Sequence, residues 1–296
     1  MSKSLSILLP TYNCDCTALI SELQRQCVAE EINFEIIVAD DASPDKRFII
    51  KNRTISNLDG VRYIEREQNV GRSAIRNYLV SQSSKEWILF IDGDLSLKNA
   101  KFIHNYLKAE GDVIVGGINI VENEKRWGNN LRYRYEHSSK EAISAENRRK
   151  TPYQHLSTNF IAHRKLIGTN PYNEDIKQYG FEDVLLGKRF KALNAKINHI
   201  DNPVLFNDFE LNAVFLCKTE EALRTLSTFQ TELKGYSNLL KITGKLQKMH
   251  ISWIGVWLYK FLHKPLKHNL KGNNPSVFLF NIYKLLYFLH YNSIRK

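Results

Sequence analysis

Acidic residues are absent from the end of the sequence, where none follows Glu232. The segment after Glu232 carries 11 Lys and Arg residues, and the net charge of the whole chain is +11. The positive excess therefore lies entirely in the tail. Since the chain is not uniformly basic and no nucleic-acid motif occurs, we expect no nucleic-acid partner. A basic tail is also typical of proteins that dock on anionic membranes.

Cysteine is scarce, with four residues that form no C-x-x-C pair and fit no zinc spacing. Long hydrophobic runs are absent as well. The first apolar run, residues 5–9, is shorter than the apolar region of a signal peptide and ends in a turn sequence. We therefore expect no signal peptide, reduced thiols and a cytoplasmic location. Low-complexity tracts are also absent, and the ordinary share of hydrophobic residues, 43%, is typical of a globular protein.

Short apolar runs rich in branched residues occur at positions 5–9, 34–39 and 87–91. Such runs suit strands that are buried on both faces of a parallel sheet. Helix-compatible spacing over residues 16–30 and 72–83 separates them. The alternation predicts an open, mostly parallel α/β sheet, in which ligands bind at the carboxyl ends of the strands.

The rest of the chain gives weaker patterns. They predict strands over 111–117, 157–162 and 196–200, a helix and a mobile loop over 122–155, a helix over 211–232, and aromatic-rich tail helices over 251–262 and 277–291 with a break at 265–275. We predict a catalytic domain over residues 1–232, with a nucleotide-binding half (1–110) and an acceptor-binding half (111–232). A helical extension over 233–296 follows it.

Polar clusters follow the first two predicted strands. The first is P-T-Y-N at residues 10–13, whose tyrosine can lie beside a flat base. An ordinary strand-ending turn also explains it. The second is Asp40-Asp41-Ala42-Ser43, in which the adjacent carboxylates repel each other and need a cation, a ligand or hydrogen-bond donors. Alternatively, Ser43 followed by proline is a helix N-cap.

The third cluster is N-x-G-R-x-x-x-R-N at residues 69–77. Its glycine suits a tight turn into a helix. Arg72 or Arg76 can face a nucleotide or a diphosphate, although a surface helix with two solvated arginines explains the stretch as well. We include Asn69, Arg72 and Arg76 among the candidate nucleotide-sugar-binding residues.

The fourth cluster, Asp92-Gly93-Asp94, carries the most weight because a very apolar predicted strand delivers its carboxylates to the sheet edge. Hard oxygen ligands suit Mg²⁺ or Mn²⁺, which usually bind one or two carboxylates plus substrate phosphates. The glycine leaves room for a phosphate.

The fifth cluster contains Glu182 and Asp183 before a helix-like stretch. One of the two can act as a general base, while helix capping explains them without chemistry.

The five clusters together resemble the inverting family-2 glycosyltransferases with the GT-A fold, in family order and over roughly residues 4–230. Sequence around residues 131–160 and 199–204 is similar to bacterial members that build capsule, lipopolysaccharide or other surface glycans. The resemblance implies a donor site in which Tyr12 stacks on the base with Pro10 beside it. Asp41 accepts from the base ring with support from Asp40, and Asp92 contacts the ribose.

The resemblance also implies the catalytic residues. Asp94 would bind Mn²⁺ or Mg²⁺ on the diphosphate, Asp183 would deprotonate the acceptor hydroxyl, and Glu182 would help to hold the acceptor. One position departs from the pattern. Asn207 stands where close relatives carry a histidine that is an extra metal ligand, and His199 is the nearest alternative to it. Asn oxygen is a poorer ligand for Mn²⁺ than imidazole, which puts metal affinity and activity in question.

We therefore expect transfer of a sugar from a nucleotide-diphosphate sugar, with UDP favoured, to a glycan or lipid-linked acceptor. The alternatives are a catalytically degenerate sugar-nucleotide-binding protein and a nucleotidyltransferase. A nucleotidyltransferase would carry a Gly-rich basic loop after the first strand, where the sequence has P-T-Y-N instead. The aromatic stretches of 233–296 are too short or too interrupted to span a bilayer. They either pack on the catalytic domain or give peripheral contact with an anionic membrane at the inner face of the cytoplasmic membrane.

Overall fold

The computed structural model describes residues 3–295. Within them the strands are β1 (Leu5–Thr11), β2 (Phe34–Asp40), β3 (Val61–Glu65), β4 (Trp87–Phe90), β5 (Val113–Val115), β6 (Ile118–Ile120), β7 (Phe160–His163), β8 (Ile197–His199) and β9 (Val204–Phe206).

The helices of the described residues alternate with these strands and then dominate the end of the chain. They are α1 (Thr17–Ala29), α2 (Lys46–Arg53), α3 (Arg72–Ser81), α4 (Phe102–Lys108), α5 (Glu124–Trp127), α6 (Leu131–Ser138), α7 (Ala145–Arg149), α8 (Arg164–Ile167), α9 (Glu182–Ala192), α10 (Asn212–Thr228), α11 (Asn238–Lys248), α12 (Ser252–Lys271) and α13 (Val277–Ile294), with a short 3₁₀ helix at Thr54–Asn57.

The chain forms two compact units. The first comprises Met1–Val121, Lys140–Lys177 and Glu182–Asp208, and the second comprises Glu122–Ser139, Gln178–Phe181 and Phe209–Lys296. Compactness does not show that a segment folds by itself. The expected domains, with boundaries at 110 and 232, therefore stay a prediction.

The first unit contains a seven-stranded sheet in the order β3-β2-β1-β4-β7-β5-β8. Only β7 runs antiparallel to its neighbours β4 and β5 within the described sheet. Strands β1, β2 and β4 are almost entirely buried, as their apolar runs predicted. A second, two-stranded parallel sheet pairs β6 with β9. The predicted α/β fold with a mostly parallel sheet is confirmed.

Strand β3 and the short helices of segment 122–155 are among the elements that the sequence analysis did not predict. Strand β3 buries Val61 alone among its five residues and contains the exposed Arg62, so no continuous apolar run marks it. Segment 122–155, expected as one helix and a loop, contains the three short helices α5, α6 and α7 instead. Each has an Asn or Ser N-cap whose side chain accepts from the backbone, which starts a helix locally.

The second unit is helical, and its last helices pack through aromatic side chains. Tyr259 of α12 stacks on His290 of α13 at 4.4 Å between ring centroids. Tyr283 donates from its hydroxyl to Glu220 of α10 at 2.5 Å. A methyl group built on Gly255 would lie 2.4 Å from Leu289, so α12 and α13 touch closely there. Within residues 3–295, no helix combines the length and the hydropathy needed to cross a membrane.

The expected break at 265–275 is wrong in its first half, because α12 continues through Pro265 to Lys271. A proline inside a helix removes one backbone hydrogen bond and costs about 3 kcal/mol. Burial of Leu266 and Leu270, directly after the proline, offsets this cost by packing. Helix α11 was not predicted from the sequence.

Candidate active site

Strands β1, β2 and β4 end at one edge of the sheet. In the parallel registers Thr11 of β1 lies opposite Asp40 of β2, and Leu8 of β1 lies opposite Phe90 of β4. The polar clusters that follow the three strands therefore begin at neighbouring points, as the sequence predicted. Tyr12, which directly follows β1, is 51% exposed, so its ring is accessible for stacking.

Gly93 follows β4 and packs against the end of β1. Its N–H donates to the carbonyl oxygen of Pro10 at 3.3 Å. A methyl group built on Gly93 would lie 2.5 Å from Cγ2 of Thr11, a distance that carbon atoms do not reach without displacement. The packing of β1 against β4 thus requires this glycine before any phosphate binds.

Asp40 is buried and holds the turn after β2. Its two carboxylate oxygens accept from the N–H and the hydroxyl of Ser43, at 2.7 Å and 2.6 Å. The Ser43 hydroxyl oxygen in turn accepts from the N–H of Asn13 at 2.8 Å. The reading of Ser43 as a helix N-cap is wrong, because Asp45 caps α2 through its side chain.

Asp41 is buried and faces the start of α3. Its carboxylate oxygens accept from the N–H groups of Val70 and Gly71 at 2.9 Å and 3.1 Å, and its carbonyl oxygen accepts from the amide of Asn69 at 3.0 Å. Burial raises the pKa of Asp41 above its ordinary value, although these hydrogen bonds oppose the shift. Asp41 therefore joins the second and third clusters.

Arg72 and Arg76 bring three clusters together. Arg76, which is buried, donates from Nη2 to Oδ1 of Asp92. Arg72 donates from Nε to Oε1 of Glu182 at 2.6 Å and from Nη2 to Oδ2 of Asp92 at 3.4 Å. The alternative of two solvated arginines on a surface helix is wrong for Arg76. Its buried guanidinium is compensated by a carboxylate, as a buried charge requires.

The arginine pair controls the charge of the two carboxylates that it binds. Burial alone would raise the pKa values of Asp92 and Glu182. The charges of Arg76 and Arg72 outweigh burial in both cases, so both pKa values lie below their ordinary ranges. Both groups are therefore anionic at neutral pH.

Glu182 and Asp183 begin helix α9. Oε2 of Glu182 is buried and has no hydrogen-bond partner among the described residues. Burial, and then the negative charge of Glu182, raise the pKa of Asp183 to about 6. Glu182 is thus anionic and has one oxygen that can accept a further hydrogen bond. Asp183, beside it, can gain or lose a proton near neutral pH.

Asp94 is exposed just beyond β4. Asn207 lies beside this loop, since its Nδ2 donates to Oγ of Ser96 at 3.1 Å. Within residues 3–295, no group of three or more His, Cys, Asp or Glu side chains could hold a metal ion. A divalent cation that takes one carboxylate from the protein and completes its shell with substrate phosphates and water would fit the exposed Asp94.

His199 is excluded as the substitute for the expected metal-ligating histidine. It is fully buried, and both ring nitrogens are occupied. Nδ1 lies 3.2 Å from Nε of Arg148, which donates to it, and Nε2 lies 2.9 Å from the carbonyl oxygen of Pro152. Burial lowers the pKa of His199 to about 4, so the ring is neutral and structural.

Two supporting residues were not singled out by sequence reasoning. The hydroxyl oxygen of Thr158 accepts from the N–H of Asp92 at 2.9 Å, which fixes the backbone of the D-G-D motif. Tyr172 is buried against Phe90, and the guanidinium of Arg76 lies 5.7 Å from its ring centroid. Neither residue stands in a motif with a recognisable spacing, so only the fold reveals them.

Curated relatives match parts of the chain. It is 31% identical to an uncharacterized glycosyltransferase of Haemophilus influenzae over 98 residues, which are 33% of this chain and 38% of that protein. It is 34% identical to a poly(ribitol-phosphate) beta-glucosyltransferase of Bacillus spizizenii over 126 residues, which are 39% of this chain and 19% of that protein. The matched stretches thus span less than two fifths of either relative.

Solved structures match over nearly the whole chain. The S. aureus TarS 1-349 crystal structure has a TM-score of 0.52 at 19% identity, covering 99% of this chain and 91% of that one. The mannosyltransferase PcManGT of Pyrobaculum calidifontis, solved in complex with GDP-Man and Mn²⁺, has a TM-score of 0.53 at 13% identity, covering 100% and 87%. At these identities the similarity shows the GT-A fold alone.

The family assignment rests on the sequence itself. Residues 6–169 match the model of the family described as Glycosyl transferase family 2. The match contains four of the five clusters and ends before Glu182 and Asp183. Because it covers more than half of the 296 residues, the chain belongs to glycosyl transferase family 2.

Proposed function

We propose that the protein transfers a sugar from a nucleotide-diphosphate sugar, with a UDP-sugar favoured, to a hydroxyl of a glycan or lipid-linked acceptor with inversion. The observation that carries this proposal is the pair at the start of α9. Glu182 offers a buried oxygen without a partner among residues 3–295, beside Asp183 with a pKa of about 6. Family membership supplies the reaction class.

The donor would bind at the ends of β1, β2 and β4. Tyr12, whose ring is exposed, would stack on the base, and Asp41 and Asp92 would bind the base ring and the ribose. The side chain of Arg72 is 37% exposed and would contact the diphosphate. Arg76 is buried against Asp92 and would position that carboxylate instead of touching the donor.

The acceptor hydroxyl would donate a hydrogen bond to Glu182 and lose its proton to Asp183. Its oxygen then forms the new bond to the anomeric carbon while the bond to the diphosphate oxygen breaks on the opposite face. A positioned base of this kind contributes roughly 10²–10⁴-fold in rate. Fixed geometry supplies a further part of the acceleration.

Asp94 would hold Mn²⁺ or Mg²⁺, and the cation would neutralise charge on the departing diphosphate. Asn207 lies beside Ser96 in the same loop region and offers an amide oxygen, a ligand type that suits Mg²⁺ better than Mn²⁺. The exposed position of Asp94 supports this role, because a substrate phosphate can reach it.

We further propose a role in bacterial surface-glycan synthesis at the cytoplasmic face of the membrane. The similarity to a poly(ribitol-phosphate) beta-glucosyltransferase supports a polymeric acceptor. The basic tail, with exposed tryptophans on α12, supports peripheral contact with anionic lipid.

The test is turnover and donor binding by the Asp183→Asn variant. Asn keeps the shape of the side chain but cannot take the proton, so we expect normal donor binding and at least a hundredfold loss of transfer. Asp175→Asn, an exposed carboxylate in the same compact unit, is the control and should be fully active. Near-normal transfer by Asp183→Asn would show that Asp183 is not the general base. Donor binding by the wild type without transfer to any acceptor supports a degenerate binding protein.

A further inference from the structure

The helical unit contains a cavity of about 670 Å³, a volume typical of small-molecule sites. Helices α6, α10, α11 and α13 and the segment 178–181 line it. Most of the lining side chains are aromatic or aliphatic, among them Phe215, Leu226, Leu239, Ile282 and Leu285. An apolar space of this size is costly to leave in contact with water, so its walls select an apolar ligand.

One cation projects to this cavity from α13. The Nζ atom of Lys284 lies 4.4 Å and 4.7 Å from the ring centroids of Tyr135 and Phe280. It donates one hydrogen bond, to the hydroxyl of Tyr135 at 3.3 Å. An ammonium has three N–H donors, so two remain for a ligand. Burial lowers the pKa of Lys284 to about 8, which still leaves it mostly protonated at pH 7.

The other basic groups at the cavity are already neutralised. Arg132 pairs through Nη1 with Oε2 of Glu210 at 2.7 Å, and Lys218 pairs through Nζ with Oε1 of the same carboxylate at 3.2 Å. The carboxylate of Glu136 lies 3.8 Å from Nε of Arg132. Lys284, in contrast, forms no ion pair within 4 Å of a carboxylate among residues 3–295, although the more distant charge of Glu136 favours its protonated form. The cavity therefore combines apolar walls with one cation that can form an ion pair with an anionic ligand.

The rim of the cavity is apolar as well. Phe278 of α13 is 72% exposed and Ile242 of α11 is 46% exposed, and both line the cavity. Exposed apolar side chains at the mouth of an apolar cavity mark an entrance for a ligand that continues outside it. A compact ligand that fills the cavity would not need them.

We propose that this cavity binds the apolar chain of an anionic amphiphile, a prenyl or acyl phosphate, with the chain against the helical walls and the phosphate on Lys284. The inference rests on the proposed function only in identifying this amphiphile as the anchored end of a lipid-linked acceptor. The binding itself needs no glycosyl transfer.

The experiment measures binding of farnesyl monophosphate to the full chain by calorimetry, below the critical micelle concentration. Dodecyl phosphate distinguishes an acyl-type chain from a prenyl chain. Farnesol lacks the charge, inorganic phosphate lacks the chain, and dodecyltrimethylammonium reverses the charge. We expect a phosphate amphiphile to bind at least tenfold more tightly than farnesol, because an ion-paired hydrogen bond forms only with the anion. Inorganic phosphate and the cationic amphiphile should not bind.

Two variants locate the site. Lys284→Met keeps the length of the side chain and removes the charge, and it should lower the affinity for farnesyl monophosphate to that for farnesol. Lys241→Met, an exposed lysine of α11 outside the cavity, is the matched control and should change nothing. Leu285→Trp fills the cavity and should abolish binding of every amphiphile. Circular dichroism and thermal unfolding show that each variant is folded.

Equal binding of farnesyl monophosphate by wild type and Lys284→Met overturns the inference, and so does unchanged binding by Leu285→Trp. If Leu285→Trp does not fold, the Lys284→Met result decides alone. The two proposals fail separately. Amphiphile binding without sugar transfer rejects the proposed function and keeps this inference, whereas transfer to soluble acceptors without amphiphile binding rejects this inference alone.

Discussion

At the scale of single residues, the charges of Glu182 and Asp183 are set by different neighbours although the two are adjacent in sequence. Arg72 donates to Glu182 at 2.6 Å and keeps it anionic, and that anion, together with burial, raises the pKa of Asp183 to about 6. Two carboxylates whose pKa values are pushed apart have separate roles in acid–base chemistry. This difference supports the proposed roles, acceptor binding for Glu182 and proton removal for Asp183.

This assignment predicts the pH dependence of the rate. A base with a raised pKa works only when deprotonated, so activity should be low below pH 6, rise through about pH 6 and level off above it. Glu182→Gln removes the neighbouring negative charge, which stabilises the Asp183 carboxylate and lowers its pKa. The acid limb of this variant should therefore move to lower pH, measured from initial rates at saturating substrates. An acid limb at the same pH in both proteins would contradict the coupling.

Gly93 gives a prediction about stability that is independent of chemistry. Gly93→Ala places a methyl group 2.5 Å from Cγ2 of Thr11 and should lower the free energy of unfolding by about 1–3 kcal/mol. Gly244→Ala in α11 meets no atom within 4 Å and should raise it by roughly 0.5–1 kcal/mol. Urea denaturation measures both. Adding Thr11→Ser to Gly93→Ala removes the clashing carbon and should recover part of the loss; no recovery would place the strain elsewhere.

The sequence predicted where the candidate residues lie better than it predicted which residues they contact. Tyr12, Asp41, Asp92 and Asp94 follow strands, and a strand pattern is enough to place them at one edge. The contacts of Arg76 with Asp92 and of Arg72 with Glu182 join residues 16 and 110 positions apart. Pairings of that range depend on how helices pack on the sheet, which no local pattern encodes.

At the scale of secondary structure, α12 presents two different faces. Tyr259, Leu266 and Leu270 are buried on one side, while Trp253, Trp257 and Phe261 are 64%, 54% and 63% exposed. The exposed three are spaced by four residues, so they share one helix face. By the same spacing Lys260 and Lys264 lie on that face. We call the residues Trp253, Trp257, Lys260, Phe261 and Lys264 the aromatic–basic face.

The sequence left two interpretations of the tail open, packing on the catalytic domain and peripheral membrane contact. They concern different sides of one helix. Packing on α13 and α10 uses the buried side, as the stacking of Tyr259 on His290 and the pair of Lys267 with Glu220 at 2.8 Å show. Tyr283 and Tyr287 of α13 contact α10 as well. A chain that ends at Glu232 would strip these partners from α10, so truncation is a poor test of membrane binding. Substitutions on the exposed side test it without disturbing the core.

The aromatic–basic face should bind anionic vesicles. Aromatic rings insert at the interface while lysines attract acidic headgroups, each worth about 1 kcal/mol near the surface. We expect the wild type to float with phosphatidylglycerol-containing liposomes at low salt and to dissociate at high salt. A variant with Trp253, Trp257 and Phe261 all changed to Ser should stay in solution.

The matched control is Ile50→Ser, which removes an exposed apolar side chain, 64% accessible, from the α/β unit. It should float like the wild type. Flotation of the triple Ser variant at wild-type levels would assign the attraction to scattered lysines alone. Absence of flotation by the wild type at low salt would remove the membrane from the proposed function.

The sequence predicted a strand or helix correctly where the packing of that element agrees with its local residue pattern. It failed where packing and pattern disagree. The buried strands β1, β2 and β4 are continuous apolar runs and were found. The edge strand β3 is half exposed and shows no such run. Helix α12 passes through Pro265, because its contacts with α13 outweigh a local penalty that sequence reasoning treats as decisive.

At the scale of the whole molecule, donor binding should appear as a gain in global stability. A ligand that binds only the folded state stabilises it by about 2.7 kcal/mol at a concentration of 100 Kd. Under the proposal that the protein supplies Asp94 and leaves the rest of the metal shell to phosphates and water, UDP-sugar and Mn²⁺ should stabilise together and only weakly apart. The increase in Tm is then a direct measure of their coupling.

Asp94→Ala should abolish this joint increase and leave the unliganded Tm nearly unchanged, because an exposed side chain changes stability by no more than about 0.5 kcal/mol. Asp175→Ala, another exposed carboxylate of the same unit, should retain the full increase. Thermal unfolding with donor alone, metal alone and both, repeated with Mg²⁺ in place of Mn²⁺, provides the measurement.

A larger increase in Tm with Mg²⁺ than with Mn²⁺ would follow from the amide of Asn207 in the position of an imidazole. A wild-type response in Asp94→Ala would move the metal away from the D-G-D motif, and with it the reason for reading that motif as the diphosphate end of the donor site.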